Sequence, residues 1–357
     1  MSRRQNPPTT SPAYLARQRD AGARRAGRRA AALWAGALVL ALGWVPRVAG
    51  LLVAGLLVAV PFAAAQEDGE PPARRLITID SSGGTQSGNL RFGPIVYAHP
   101  EPDGVVATVS TLTIRGPRAE LTAPEGELIA QAQGRRDAVF DGGVVVTRGR
   151  LTATGATLSY AEATGLGVLA GAGGERVEVR IAPAREGEPE VIIAAERVTF
   201  DVDTDTSVSE GDVRLLNGDQ AARAERLEYE EDADLGVLSG SDRPEVVRTA
   251  DDGGELRIVA DEIRVLTDIS ALYAVGSVRV EDGDITSEGD VVFYDDDEEV
   301  AEVLGDPAIA VDESAGVRLE TARVRQDVRF RFVEAMDASL PTPYTVEQFL
   351  LVREKAP

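Results

Sequence analysis

Ser209-Glu210-Gly211-Asp212-Val213-Arg214-Leu215, followed by Ala222-Arg223-Ala224-Glu225-Arg226-Leu227-Glu228-Tyr229, decides the fold of this chain, because its pattern stands twice more. Counting from Gly142, Gly211 and Gly276, apolar residues return two positions on at Val144, Val213 and Val278, and four on at Val146, Leu215 and Val280. Sixteen on stand Leu158, Leu227 and Val292; eighteen on, Tyr160, Tyr229 and Tyr294. The register still holds at Leu169, Leu238 and Val303, and ends at Gly171, Gly240 and Gly305. Apolar positions two apart are the period of a strand with one buried face. Glycines mark bends or close backbone approaches. An array of this kind buries its apolar faces on its own neighbours rather than around a catalytic pocket.

Working outward, short β-branched segments alternate with Gly, Asp, Asn and Pro turns from Leu76 to about Arg331. Their spacing predicts an all-β protein of about twenty short strands. Ala195-Glu196-Arg197-Val198 and Ala260-Asp261-Glu262-Ile263 each begin sixteen residues before a repeat glycine, and the first copy has no such echo. In Val278-Arg279-Val280-Glu281 valines share one side and charges the other, the mark of antiparallel sheets packed face to face. The expected organisation is a disordered basic segment (1–29), a signal peptide or membrane anchor (30–65), a linker (66–75), the β-array (76–331, repeat cores 142–171, 211–240 and 276–305) and a tail (332–357). In that tail Thr345-Val346-Glu347-Gln348 resembles a capping box and predicts a short helix over Val346–Val352.

Charge is unevenly spread. The chain of 357 residues carries a formal net charge of -22 from 37 basic and 59 acidic residues. Residues 1–65 hold nine of the basic residues and one acid, leaving 28 basic and 58 acidic in the remainder, a net of -30. Such a body repels nucleic acid and anionic membrane surfaces. Ahead of it, the apolar run Val48–Val60 has a basic residue in front and the small-residue site Ala63-Ala64-Ala65 behind. That order predicts export, with cleavage near Ala65 or retention as an inner-membrane anchor.

Catalytic and metal chemistry finds little footing. With no cysteine and one histidine, His99 in a Pro-bounded turn, nucleophilic triads and thiolate or imidazole metal sites are nearly excluded. No cofactor motif is present. Asp201, Asp203 and Asp205 alternate as oxygen ligands of Ca²⁺ do, but Thr206 replaces the loop glycine and Asp212 the closing glutamate. A solvated hairpin turn is the plainer reading of that weak candidate. Asp295-Asp296-Asp297-Glu298-Glu299 reads as a charged loop.

The stretch Phe140-Asp141-Gly142-Gly143-Val144-Val145-Val146, running on to Leu158-Ser159-Tyr160, and its counterpart from Ser209 to Tyr229 resemble the OstA-like family. These are the LptA- and LptC-type periplasmic proteins of lipopolysaccharide transport and the soluble amino-terminal domain of LptD-type proteins. The resemblance covers about residues 138–305. It implies a repetitive antiparallel β-jelly-roll, or β-taco, whose groove carries acyl chains of lipopolysaccharide or another envelope lipid, and head-to-tail stacking on sheets of the same family. In such a non-enzymatic periplasmic protein, Val144, Val146, Leu158, Tyr160, Leu169 and their counterparts in the other two copies line the groove. A packed sandwich serving as an envelope scaffold has the same polarity, so both readings stand. Of the two open ends, the Pro341/Pro343 turn and the helix Val346–Val352 are placed to cover one edge at the carboxyl end, which leaves Leu76–Ile79 and Leu90–Ile95 as the docking edge, a monomer whose amino-terminal strand is protected by its own loops being the alternative.

Overall fold

A computed structural model describes residues 73–250 and 253–355. The basic segment, the signal or anchor and most of the linker lie outside the described residues. The described chain enters through six short strands, β1 (Thr78–Asp80), β2 (Thr85–Gly88), β3 (Ile95–Ala98), β4 (Val105–Val109), β5 (Leu112–Gly116) and β6 (Arg118–Thr122). A long hairpin follows, β7 (Asp137–Arg148) and β8 (Leu151–Ala161), then four short strands, β9 (Leu166–Ala170), β10 (Val177–Ile181), β11 (Val191–Ala195) and β12 (Arg197–Asp201). The scheme repeats with the hairpin β13 (Thr206–Asn217) and β14 (Gln220–Glu230) and the short strands β15 (Leu235–Ser239), β16 (Glu245–Thr249), β17 (Glu255–Val259) and β18 (Glu262–Leu266). Four long strands close the array, β19 (Ala271–Asp282), β20 (Ile285–Asp295), β21 (Val300–Asp312) and β22 (Val317–Asp327), with the short β23 (Phe332–Ala335) beside the last.

The repeat glycines explain the shape. Pairing of β7 with β8 slips between Asp141 and Val144, where Gly142 and Gly143 have φ of 91° and 101°. The same slip falls at Gly211, with φ 85°, and at Gly276, with φ 82°. A bulge with left-handed residues bends its strand. Each long strand therefore belongs to two sheets. The first half of β7 pairs with β6 and its second half with β5. The start of β8 pairs with β10 and its end with β9; the start of β14 pairs with β16 and its end with β15. The result is two antiparallel sheets joined along a bent spine. One, sheet A, contains β2, β3, β6, β9, β12, β15 and β18; the other, sheet B, contains β1, β4, β5, β10, β11, β16 and β17. This is the repetitive antiparallel β-jelly-roll that the family resemblance implies.

The echo before two of the copies has a physical reason. Glu196 and Asp261 stand where the chain crosses from sheet B to sheet A, and their side chains lie so close to Gly211 and Gly276 that no Cβ fits there. In the first copy Pro117 packs on Gly142 in the same way, which is why that echo is missing from the sequence.

Between the sheets lies one continuous apolar cluster reaching from Ile77 to Val324. A second, smaller one covers the outer face of sheet A, where Leu235, Val237, Tyr273 and Phe293 meet Phe349 and Leu351 of the tail. Here the structure corrects two expectations. The tail forms two separate 3-10 turns, Val346–Phe349 and Val352–Glu354, rather than one helix to Val352. Leu350 is extended between them, so that Phe349 and Leu351 reach the sheet. Nor does the segment holding the Pro341/Pro343 turn and Val346–Val352 cover the carboxyl edge, where β23 pairs with the end of β22. It crosses the outer face as a strap, from Leu340 beside Arg323 on β22 to Val352, whose amide donates to Glu230 of β14 at 3.0 Å. At the amino end β1 and β2 are each paired on one side, whereas Ile95 belongs to β3, which is paired on both. Leu90–Ile95 is therefore a loop and an inner strand, not an edge.

Candidate functional site: the latched interior

Fourteen of the fifteen expected groove residues are buried in the central cluster: Val144, Val146, Leu158, Tyr160, Leu169, Val213, Leu227, Tyr229, Leu238, Val278, Val280, Val292, Tyr294 and Val303. Leu215 is half-buried against it. Register explains their common burial. Leu158 stands opposite Leu169, Leu227 opposite Leu238 and Val292 opposite Val303, so the repeat positions stack on one face of sheet A.

The repeat tyrosines do more than fill space. Tyr229 donates its hydroxyl to Asp234 at 2.9 Å and Tyr294 to Asp296 at 3.0 Å. Both aspartates sit in turns at the free tips of sheet A, and each is met by an arginine from the tips of sheet B. Arg150 pairs with Asp234. Arg248 lies 2.8 Å from Asp296 and 3.1 Å from Glu299, and Gln220 adds a bond to Asp296 at 3.0 Å. One turn nearer the amino end, Arg148 reaches Glu231 at 3.0 Å, and nearer the carboxyl end Arg331 stands 3.9 Å from Asp282. A row of cross-sheet ion pairs thus latches the mouth opposite the bent spine. Burial pushes the carboxyls of Glu231 and Asp296 above the ordinary range, against the pull of Arg148 and Arg248. Burial, with the neighbouring aspartate, likewise raises the Tyr229 and Tyr294 hydroxyls.

Both ends of the interior are polar. At the amino end the wholly buried Glu162 accepts from Arg136, from Ile77 N–H at 2.8 Å and from Gly134 N–H at 2.7 Å. At the carboxyl end Ser287 of sheet B donates to Gln326 of sheet A at 2.6 Å across the cavity axis. Between them the apolar space is tight. Two pockets of ≈ 30 and ≈ 20 Å³ lie in the middle and following repeats. Each has room for a water or two, not for a chain. The larger, lined by Ile181, Ile193, Leu215, Leu227, Leu238 and Val265, shares Asn217, Gln220 and Thr267 with a polar recess of ≈ 180 Å³ at the mouth.

The aspartates singled out for calcium are otherwise engaged. Asp203 takes Arg75 at 2.9 Å, Asp205 takes Arg74 at 2.5 Å, and Asp201 accepts from Asp203 N–H at 2.8 Å within the β12–β13 turn. Among the described residues no cluster of three His, Cys, Asp or Glu is disposed to hold a metal ion. Sequence reasoning missed the latches. Asp296 lies in a loop read only as charged, and nothing in its spacing pairs it with Arg248, 48 residues earlier.

Fold and interior together define a bent two-sheet β-array with an apolar interior latched along one side. Among solved structures the chain is similar to LptH, the LptA homologous periplasmic component of the lipopolysaccharide transport device of Pseudomonas aeruginosa. That likeness has 15% sequence identity and a TM-score of 0.31, over 34% of this chain and 87% of the other. No protein-family model and no curated protein matches the chain.

Proposed function

We propose that this is an exported, non-enzymatic lipid-binding protein of the periplasm and cell envelope, which shields the acyl chains of lipopolysaccharide or another envelope lipid between its sheets. Head-to-tail partners of the same fold extend the path through the singly paired strands β1 and β2. The observation that carries the reading is a continuous apolar interior running through all three repeats, with polar latches on one side only. The OstA-like repeat residues that define it in the sequence point the same way. Magnitudes allow the interior to open. Burying an alkyl chain is worth about 0.8 kcal/mol per CH₂, so roughly ten methylenes contribute about 8 kcal/mol. The four cross-sheet pairings that latch the mouth are part-buried and net about 1 kcal/mol each.

A scaffold without lipid transfer is the second reading, and one observation favours it: the interior pockets hold water-sized volumes. Mass spectrometry of organic extracts from the exported protein separates the two. Co-purifying acyl chains in near-stoichiometric amount are expected for the lipid-binding reading. Their absence, with no uptake of added lipid, leaves the scaffold.

A further inference from the structure

The two polar ends of the interior are not alike. At the amino end both carboxylate oxygens of Glu162 are taken, one by the Ile77 amide and Arg136, the other by the Gly134 amide and Arg136. At the carboxyl end the bridge between the sheets is incomplete. Ser287 and Gln326 are wholly buried, and Ser287 donates to Gln326 Oε1 at 2.6 Å. The Nε2 donor of the same amide has no hydrogen-bond partner among the described residues. Buried nitrogens that share this fate, such as Arg148 Nη2 and Arg323 Nε, belong to side chains already held by a carboxylate. Gln326 is neutral and has no such compensation.

Register places this amide inside and near the mouth. Gln326 continues the row of Tyr294 and Ala301 across sheet A, one step nearer the tips than the row Val292, Val303 and Val324. Ser287 faces it from between Val280 and Ala310 of sheet B. These neighbours bring no further polar partner to Nε2, and the two alanines leave the least bulk beside it. Val328, two residues beyond Gln326, and Asp282, two beyond Val280, line a recess of ≈ 390 Å³ at the mouth. Its described lining holds three guanidinium groups, Arg248, Arg329 and Arg331, and three carboxylates, Asp219, Asp282 and Glu299. So balanced a set offers both donors and acceptors to a polar head group.

An unbonded buried donor lowers stability, so its retention asks for an acceptor brought from outside. An acyl chain carries one. The ester or amide carbonyl that joins it to its head group stands at the junction of the apolar and polar parts, as Gln326 stands between the valine row and the recess. We propose that Gln326 Nε2 donates to this carbonyl, and that the last repeat therefore binds acylated amphiphiles in preference to alkyl ethers of the same length. This rests on the lipid-binding reading above and names the part of the ligand that is recognised.

Acyl-lysophosphatidylethanolamine and its alkyl ether, equal in chain and head, are titrated into the exported protein by calorimetry. The ester is expected to bind about ten-fold more tightly, because the ether lacks the acceptor. Ser287→Ala together with Gln326→Leu removes both halves of the bridge, a paired replacement that strands neither group and is near neutral for folding. Gln326→Leu alone is the second variant. In both, the preference is expected to fall within about two-fold, and the double variant is expected to melt at or above the parent. The stretch of an isotope-labelled ester carbonyl is expected at lower frequency on the parent than on either variant. Equal affinity of the parent for ester and ether, or a preference that survives both substitutions, overturns the proposal and leaves lipid binding standing. So does a lower melting temperature of the double variant, which makes the bridge a fastener of the sheets. Binding of neither lipid by the parent overturns the lipid-binding reading itself.

Discussion

Arg148 and Glu231 meet at 3.0 Å across the mouth, one from the tip of each sheet, 83 residues apart in the chain. Arg148 is 3% exposed and Glu231 19%, and the guanidinium lies near the Phe200 ring. Neither residue belongs to the apolar repeat, yet together they fasten one repeat to the next.

Arg148→Leu leaves Glu231 without its cation. Removing one partner of a buried pair costs about 3–5 kcal/mol, and some exposure of Glu231 brings the expected loss to about 2–3 kcal/mol at neutral pH. Burial already raises the Glu231 carboxyl above its ordinary value. A carboxyl raised by folding stabilises the fold fully below its unfolded value, and loses that contribution as pH rises through the folded one. The deficit of the variant is thus smaller near pH 4 than at pH 7. Urea midpoints at the two pH values check this; a constant deficit contradicts it.

Glu162 has the opposite sign. Burial works to raise its carboxyl, but the bonds from Arg136 and from the Ile77 amide outweigh it and hold the value below the ordinary range. Its contribution is present above the unfolded value and is lost as pH falls through the folded one. Glu162→Gln is expected to cost about 3 kcal/mol by stranding Arg136, and to speed amide exchange at Ile77 and Gly134. Unchanged protection at both amides refutes the assigned role.

Register is tested on one hairpin. Leu227 is 1% exposed and faces the interior, whereas Leu216 is 52% exposed on the outer side. Leu227→Asp buries an unpaired carboxylate and is expected to cost several kcal/mol, while Leu216→Asp stays within about 0.5 kcal/mol. A lower melting temperature for Leu216→Asp than for Leu227→Asp means the faces are inverted, as a one-residue slip requires.

What the sequence shows, and what it conceals, follows from the range of the interactions. The inner face was legible because Val144, Leu158 and their copies obey a local period of two. The bends were legible because only glycine pairs easily with φ near 90°, as at Gly142. The division of each repeat between two sheets was not, because the short pairs β9 with β12 and β10 with β11 join residues whose partnership no local pattern records. The latches escaped for the same reason. In a chain with 59 acids every arginine has many plausible partners, and only the folded tips choose among them. The tail was misread because its alternating Phe349 and Leu351 serve an outer apolar stripe, Leu235 to Phe293, whose uncovered face the sequence does not announce.

The strap itself makes the last prediction. Phe349 is buried among Tyr273, Phe293 and Tyr344, with ring centroids 5.5, 6.3 and 6.0 Å away. Beside it Arg264 donates to the Phe349 carbonyl at 2.9 Å and grips Glu354, while Arg353 holds Glu228 at 3.0 Å. Phe349→Ala removes the apolar contact that seats these pairs, and emptying a packed aromatic site costs about 3–4 kcal/mol. The loss falls on the strap alone, because Phe349 touches the outer cluster and not the interior one. Limited proteolysis should therefore cut the variant within residues 340–355 at concentrations that spare the parent chain. Uptake of a lipid probe by the interior should remain within about two-fold. Retained resistance of the tail refutes the strap as a separable element, and loss of uptake alongside cleavage shows that the outer face and the interior are coupled.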